Sequence, residues 1–142
     1  MRRIEEIFSK DIHLKTRDPF SLSLEILNIS REFGEPVEKK NIYETDGPRK
    51  RVELSFDLKK EIDKFSRANI SFDLNGESNG SGFLDIRLKG RLQTSMTSSG
   101  PISKTFNDYY LSDILPFLKR EFSKLKDIGN EIEKRINELK NI

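Results

Sequence analysis

Cysteine and tryptophan are absent from the 142-residue chain, and histidine occurs once, at His13. The lack of cysteine excludes disulfides and thiolate metal sites, and a single histidine would leave a zinc site dependent on an unusual set of carboxylates. No apolar run is long enough to span a bilayer. Met1-Arg2-Arg3 is followed by Glu5 and Glu6, so no signal-peptide core is expected. These absences predict a soluble cytoplasmic protein with no metal, no cofactor and no membrane insertion.

Charge is abundant but balanced. The 26 basic and 24 acidic residues give a net charge of +2 and are spread along both halves of the chain, which argues against a dedicated nucleic-acid binder. The hydrophobic fraction is 34%, and its residues are patterned rather than scattered, which argues against disorder. The length predicts a single domain over residues 1–142. Abundant Lys, Arg and Glu without cysteine also fits an intracellular protein of a thermophile.

The strongest periodic signal lies between Asp113 and Lys140, where apolar residues recur every three or four positions, as on one face of an α-helix. Such a helix would be roughly 40 Å long. Pro116 falls in its first turn if Asp113 is the N-cap. The apolar phase continues through Gly129-Asn130, so one continuous helix is favoured over a break with a new cap at Asn130. The apolar positions are Leu111, Ile114, Leu118, Phe122, Leu125, Ile128, Ile132, Ile136 and Leu139.

The N-terminal region predicts a strand followed by a helix. Along the strand, from Arg3 to Thr16, Glu6 and Lys10 share the parity of the apolar residues, which indicates either a bulge or sheet edge, or a polar pocket. Asp18 and Pro19 are typical of a helix N-cap and first helical position. Gly34 is the predicted end of the helix. The residues expected to form its buried stripe are Phe20, Leu24, Leu27 and Phe33.

The central region alternates apolar and charged residues, as strands of a half-buried sheet do. A sheet with one apolar and one charged face is covered on one side only, so both helices are expected on that side. Gly90 occupies an inward position, where it leaves room for a bend or a close neighbour. The predicted strands are Val37–Thr45, Arg49–Leu58, Ala68–Leu74 and Phe83–Met96, with a turn at Asp46-Gly47-Pro48 and a flexible hairpin loop from Asn75-Gly76 to Gly82.

The first strand ending in Lys15-Thr16-Arg17-Asp18-Pro19, the helix from Phe20 to Phe33 and the terminal helix together resemble the helix-grip fold of the START-like (SRPBCC) superfamily. The resemblance implies an α+β fold of order β-α-β4-α, in which a curved antiparallel sheet of about four to six strands wraps the long C-terminal helix. It also implies a cavity between sheet and helix for an apolar or amphipathic ligand. Members usually have further strands and a second short helix, so this chain would be a cut-down member, and no catalytic residue carries over.

The candidate site residues are aromatic groups that could enter such a cavity. Small-molecule sites are mostly apolar with few polar groups, so cavity and core look alike in sequence. Ordinary core packing is the simpler interpretation of each residue. No Ser-His-acid motif is recognisable, and His13 is expected on the outer face, so a cyclase or lyase-type enzyme ranks behind a binding module. The ligand-cavity candidates are Tyr43, Phe106, Tyr109, Tyr110 and Phe117.

Arg87, Lys89 and Arg91 form a basic row on the predicted outer face of the sheet. Phosphate binding is one interpretation of such a row. A solvated ladder with carboxylates on neighbouring strands is favoured, because opposite charges pair across a sheet. The expected carboxylates are Glu53, Asp57 and Asp73.

The end of the terminal helix predicts a homodimer, which would make self-association the alternative function. A four-stranded sheet is roughly 20 Å across, so Ile132, Ile136 and Leu139 would project beyond it. Exposed apolar side chains are unfavourable, and a partner helix would cover them. The alternative is that the helix folds back at Gly129-Asn130 onto its own sheet or frays.

Overall fold

The computed structural model describes residues 2–61, 66–95 and 115–139. The five strands form one antiparallel sheet in the order β1-β5-β4-β3-β2, so β1 and β2 are its edges. The predicted α+β class, with four strands between the two helices, is confirmed. In chain order the elements are β1 (Arg2–Lys15), α1 (Pro19–Arg31), β2 (Pro36–Asp46), β3 (Arg49–Glu61), β4 (Ser66–Asn79), β5 (Ser81–Ser95) and α2 (Leu115–Asn137).

Alternation along the strands gives the sheet two different faces. The inner face carries the apolar residues, and these join residues of both helices in a single hydrophobic core. Phe56 and Phe72 stack across β3 and β4 in this core, with ring centroids 4.5 Å apart. The outer face carries the charged residues. Both helices therefore pack on one side of the sheet, as the alternation predicts. The inner-face strand residues of the core are Ile12, Leu14, Val52, Leu54, Phe56, Leu58, Ala68, Ile70, Phe72, Leu74, Leu84, Ile86, Leu88 and Leu92.

The start of α1 is capped as predicted. An Asp18 carboxylate oxygen accepts a hydrogen bond from the Ser21 backbone N–H at 3.2 Å, and the other accepts one from the Ser21 hydroxyl at 2.7 Å. These bonds satisfy one of the unpaired donors at the helix N-terminus. The Ser21 hydroxyl, followed by the backbone N–H of Ser21, lowers the pKa of Asp18 below its ordinary value. Pro19 occupies the first turn, and the helix ends at Arg31.

The buried stripe of α1 differs from the prediction. Leu22, Ile26 and Ile29 are buried, whereas Leu24 is 51% exposed, so the assignment of Leu24 to the core was wrong. Residues four apart share one helix face, and Leu24 lies about 200° around the helix from Leu22. The helix offers two apolar stripes, and the sheet covers the one that contains Leu22 and Ile26.

Strand β1 contains a bulge and is also a sheet edge. Its register against β5 shifts between Glu6 and Phe8, as the mixed parity of this strand indicates. Because of the shift, Ile7 and Phe8 both pack against the core. Lys10 then lies opposite Leu88, on the inner face. The bulge turns Glu6 to the outer face, while Phe8 and Lys10 share the inner face.

The predicted loop from Asn75-Gly76 to Gly82 was wrong. Strand pairing continues to Asn79 and Ser81, and the turn is confined to Gly80, whose φ is +83°. Gly76 lies inside β4, where an added Cβ would sit 2.5 Å from the Phe83 carbonyl oxygen. The absence of a side chain at Gly76 thus permits the close approach of β4 and β5, which explains a glycine inside a strand without a turn.

Helix α2 is continuous from Leu115 to Asn137, or about 35 Å at 1.5 Å per residue. The prediction of a single helix through Gly129 is confirmed, while the predicted cap at Asp113 lies outside the described residues. The described part of α2 contacts β1, β5 and α1, whereas α1 lies over β2 to β5. Thus α1 covers the centre of the sheet and α2 lies towards the β1 edge. No helix in the described ranges is long and apolar enough to cross a membrane.

Candidate functional site

The contact between α2 and the sheet is built around the ring of Phe8. Phe8 lies opposite Gly90 of β5, and a Cβ added at Gly90 would overlap this ring. A Cβ added at Gly129 of α2 would lie 2.8 Å from Cε1 of the same ring. Carbon atoms in favourable contact are about 3.5–4.0 Å apart. Both positions therefore need glycine, and the close neighbour predicted at Gly90 is Phe8.

A charged pair lies one step further along the same strand and helix. Nζ of Lys10 donates to Oε1 of Glu133 at 3.3 Å, and the two side chains are 19% and 35% exposed. Glu133 follows Gly129 by one helical turn, so the pair and the Phe8 contact lie side by side. Partly buried charges are costly unless they are paired. This pair joins β1 to α2 and keeps a polar group within reach of solvent.

The interior under α1 is fully buried at its centre, and so is the C-terminal part of α2, where Ile132 and Ile136 are 0% exposed. Under α1, Leu22, Ile26, Leu54 and Phe72 have 0–1% of their surface exposed. Several apolar side chains of β1 and α2 pack against the core but stay only partly buried. We use the term β1–α2 layer for this second region, which comprises Ile7, Phe8, Lys10, Phe122, Ile128 and Glu133.

The structure places one predicted cavity residue, Tyr43, far from the β1–α2 layer. Tyr43 lies on β2, the opposite edge of the sheet, and its ring packs edge-on against Phe20 with centroids 5.2 Å apart. Burial, followed by the charge of Glu38, raises the pKa of Tyr43. Phe117 belongs to α2, but its side chain lies outside the described residues, as do Phe106, Tyr109 and Tyr110 entirely. These four residues stay predictions.

The exposed stripe expected at the end of α2 is not found. Ile132 and Ile136 are fully buried within the single chain, and Leu139 packs against the core in a partly buried position. This end of α2 also contacts α1 through an ion pair, in which Nη2 of Arg135 donates to Oε1 of Glu32 at 3.2 Å. A hydrogen bond from Arg135 lowers the pKa of Glu32. The homodimer stays a prediction, but burial of these side chains removes the argument for this interface.

On the outer face, His13 lies where the sequence predicts it. It is exposed, hydrogen-bonded to Asp85, and stacked on Phe83 with ring centroids 5.7 Å apart. An open cavity of about 510 Å³ lies beside it. Within the described ranges, no group of three or more His, Asp and Glu could hold a metal ion. The residues lining this cavity are Asp11, Ile12, His13, Asp73, Asn75, Asp85, Ile86 and Arg87.

The charged ladder predicted on the outer face forms only in part: Arg87 is paired, but with another partner than predicted, and Lys89 and Arg91 form no ion pair with the described residues. Arg87 donates to Asp11 at 3.0 Å, and Asp73 instead accepts from the Ser55 hydroxyl at 2.7 Å. Lys40 and Arg51 donate to Glu53 and lower its pKa, and Lys39 lies 2.6 Å from buried Asp57. These partners depend on strand order and on the bulge in β2 between Glu38 and Lys40, which local sequence does not reveal.

No family model and no curated protein matches the chain. Among solved structures, a delta-endotoxin is similar over 75% of this chain and 66% of its own, with 8% identity and a TM-score of 0.31. Ara h 8.0201 is similar over 89% and 97% of the two chains, with 11% identity and a TM-score of 0.25. The 18 kDa protein CC1736 from Caulobacter crescentus is similar over 95% of this chain and 99% of its own, with 10% identity and a TM-score of 0.23. These values assign neither family nor function. The sheet and C-terminal helix are compatible with a helix-grip arrangement, and START-like membership stays a prediction.

Proposed function

We propose that this chain is a non-catalytic binding module that holds an amphipathic ligand in the β1–α2 layer. The observation that carries the proposal is the contrast in burial between this layer and the interior under α1. An apolar ligand chain placed against Ile7, Phe8, Phe122 and Ile128 would complete their burial. Burial of apolar surface is favourable by about 25 cal/mol per Å². Small-molecule sites typically combine such an apolar lining with a few polar groups.

Lys10 is the group that would select the polar end of the ligand. Its ammonium has three N–H donors, and one of them is directed to Glu133. The remaining donors suit a carboxylate or phosphate. Glu133 is exposed enough to turn towards solvent when such an anion binds. The proposed ligand class is therefore an anion with an apolar chain, such as a fatty acid.

A binding role requires fewer assumptions than acid–base catalysis. His13 lies on the outer face, paired with Asp85, and so on the opposite side of the sheet from the layer. Within its described residues the layer contains one Lys–Glu pair. A general acid and a general base working on one substrate would normally need separate environments that set their pKa values apart.

Native mass spectrometry of the protein purified from its own host tests the proposal first, and the expected result is a retained small molecule. Palmitate is the defined probe for a second test by calorimetric titration. Lys10→Met should weaken palmitate binding about tenfold or more, because a hydrogen bond to a charged group is lost. Lys89→Met, an exposed change on the outer face, is the matched control and should bind palmitate normally.

Two results would contradict the proposal. One is the absence of a retained molecule together with no thermal stabilisation by palmitate or by a panel of lipids and metabolites. The other is an equal loss of palmitate affinity in the Lys10 and Lys89 variants, since that would indicate a general charge effect rather than a site.

A further inference from the structure

The outer face of the sheet divides into two halves with different charge pairing. Near the turns at Gly47 and Gly80 lies the paired half, where basic side chains hold carboxylates on adjacent strands. Satisfied pairs of this kind leave little net charge for a partner. The pairs of this half are Arg49–Glu77 at 3.0 Å, Arg51–Glu44 at 3.3 Å and Arg87–Asp11 at 3.0 Å.

The other half, which we call the basic half, consists of Lys59, Arg67, Lys89 and Arg91 on β3, β4 and β5. Within the described part of the chain, none of these four cations has a hydrogen bond or an ion pair. Across the strands they stand beside uncharged polar residues: Lys89 faces Ser71, Arg91 and Lys59 face Asn69, and Arg67 faces Gln93.

Two carboxylates also belong to the basic half. Glu6 stands opposite Arg91, and Glu61 stands opposite Arg67. Neither of them comes within ion-pair distance of a cation in the described part of the chain. Asp57, on the outer face of β3, is paired with Lys39, so four unpaired cations face two unpaired carboxylates and this half of the outer face has an excess of positive charge.

Exposed aliphatic side chains flank the basic half on both edge strands. Ile4 of β1 is 54% exposed and Val37 of β2 is 49% exposed. Ile4 lies opposite Gln93, and Val37 lies opposite Asp57, so both belong to the outer face. Among the described residues, the other large hydrophobic side chain of comparable exposure is Leu24 of α1. Two of these three exposed positions therefore border the basic half.

We propose that the basic half docks onto an anionic phospholipid surface. Lipid phosphates and serine headgroups attract clustered Lys and Arg. Aliphatic side chains beside the cations can enter the boundary between headgroups and acyl chains, and stable attachment needs both kinds of contact. The proposal concerns the outer face and does not depend on a ligand in the β1–α2 layer.

A nucleic acid is the competing occupant for a basic sheet face. Sheet-based binders of single strands stack bases on aromatic side chains. The basic half presents Ser71, Asn69 and Gln93 between its cations, and none of the described residues that stand between them is aromatic. The lipid surface therefore fits the observed chemistry better.

Vesicle co-sedimentation tests this proposal with the full chain. The expected result is binding to vesicles of an equal mixture of phosphatidylcholine and phosphatidylserine, and none to phosphatidylcholine alone. The double variant Lys89→Gln, Arg91→Gln should bind about 25-fold more weakly, since each basic residue near the surface contributes about a fivefold factor. The double variant Lys119→Gln, Lys126→Gln makes the same change in net charge at exposed positions of α2 and should bind normally.

Val37→Ser should also weaken binding several-fold, because the apolar contact is lost while the charge stays the same. The proposal is overturned if the wild-type chain does not bind the mixed vesicles, or if both double variants lose binding equally. It is also overturned if the Lys89 and Arg91 changes abolish binding to polyuridylate RNA and leave vesicle binding intact. That result would identify the basic half as a nucleic-acid surface.

Discussion

Two parts of the same interior are closed in different ways. Under α1, large apolar side chains such as Ile26 and Phe72 are fully buried. In the β1–α2 layer, a bulge, two glycines and the Lys10–Glu133 pair bring the helix close to the sheet, and several apolar side chains remain partly exposed. The first region stabilises the fold by burial. The second holds the helix close to the sheet and leaves several apolar side chains partly exposed, and these are the side chains that a ligand would cover.

The largest loss of stability is expected when a buried side chain under α1 is truncated. Ile26→Ala should reduce the free energy of unfolding by about 2–5 kcal/mol, because it leaves a cavity in a fully buried region. Ile128→Ala, in the β1–α2 layer, is the matched control and should cost less than half as much. Urea denaturation measures both. Equal losses would mean that the two regions are packed alike.

A smaller loss is expected from overpacking in the β1–α2 layer. Gly90→Ala places a methyl group against the Phe8 ring and should cost about 1–3 kcal/mol. The double variant Phe8→Ala, Gly90→Ala should lose less stability than the sum of the two single variants, because the clash is gone. Strict additivity in denaturant unfolding would show that the ring does not lie against Gly90.

The N-cap of α1 should contribute about 1 kcal/mol, so Asp18→Ala should reduce the free energy of unfolding by that amount near neutral pH. The folded-state pKa of Asp18 is lowered below 3.8. Its contribution is therefore present above the unfolded-state pKa and is lost as the pH falls through the folded-state value. Unfolding at several pH values should show the variant and the wild type converging in acid. A difference that grew with acidity would contradict the cap assignment.

The smallest effect is expected from Lys10→Met without ligand. An apolar side chain of similar length replaces half of a partly buried ion pair, and Glu133 can still reach solvent, so the free energy of unfolding should change by less than about 1 kcal/mol. Thermal denaturation of the ligand-free protein checks this. A large destabilisation would assign the pair a purely structural role.

The local sequence predicts those parts of the fold that are determined by residues close together in the chain. The alternation from Arg49 to Leu58 fixes the faces of β3, and Asp18-Pro19 fixes the start of α1. Glu6 on the apolar parity of β1 indicates the bulge that the structure contains between Glu6 and Phe8. In each case, the residues that determine the structure are neighbours in the chain.

The features that could not be predicted depend on contacts between distant residues. Gly76 resembles a turn residue, but the position needs glycine because the Phe83 carbonyl of the neighbouring strand leaves no room for a side chain. Leu22 and Leu24 are equally apolar, and only the position of the sheet decides which is buried. The β1–α2 layer combines β1 with α2, more than a hundred positions apart, so a spaced motif could not reveal it. Gly90 at an inward position of β5 and Gly129 within an otherwise regular helix were the available signals.

The most direct test of the difference between the two regions is amide NMR mapping of palmitate binding to the full chain. If palmitate binds in the β1–α2 layer, saturating palmitate should shift the amide signals of Phe8, Lys10 and Gly129 and leave those of Leu22 and Ile26 unchanged. Shifts centred on the interior under α1, or no shifts at saturation, would contradict it.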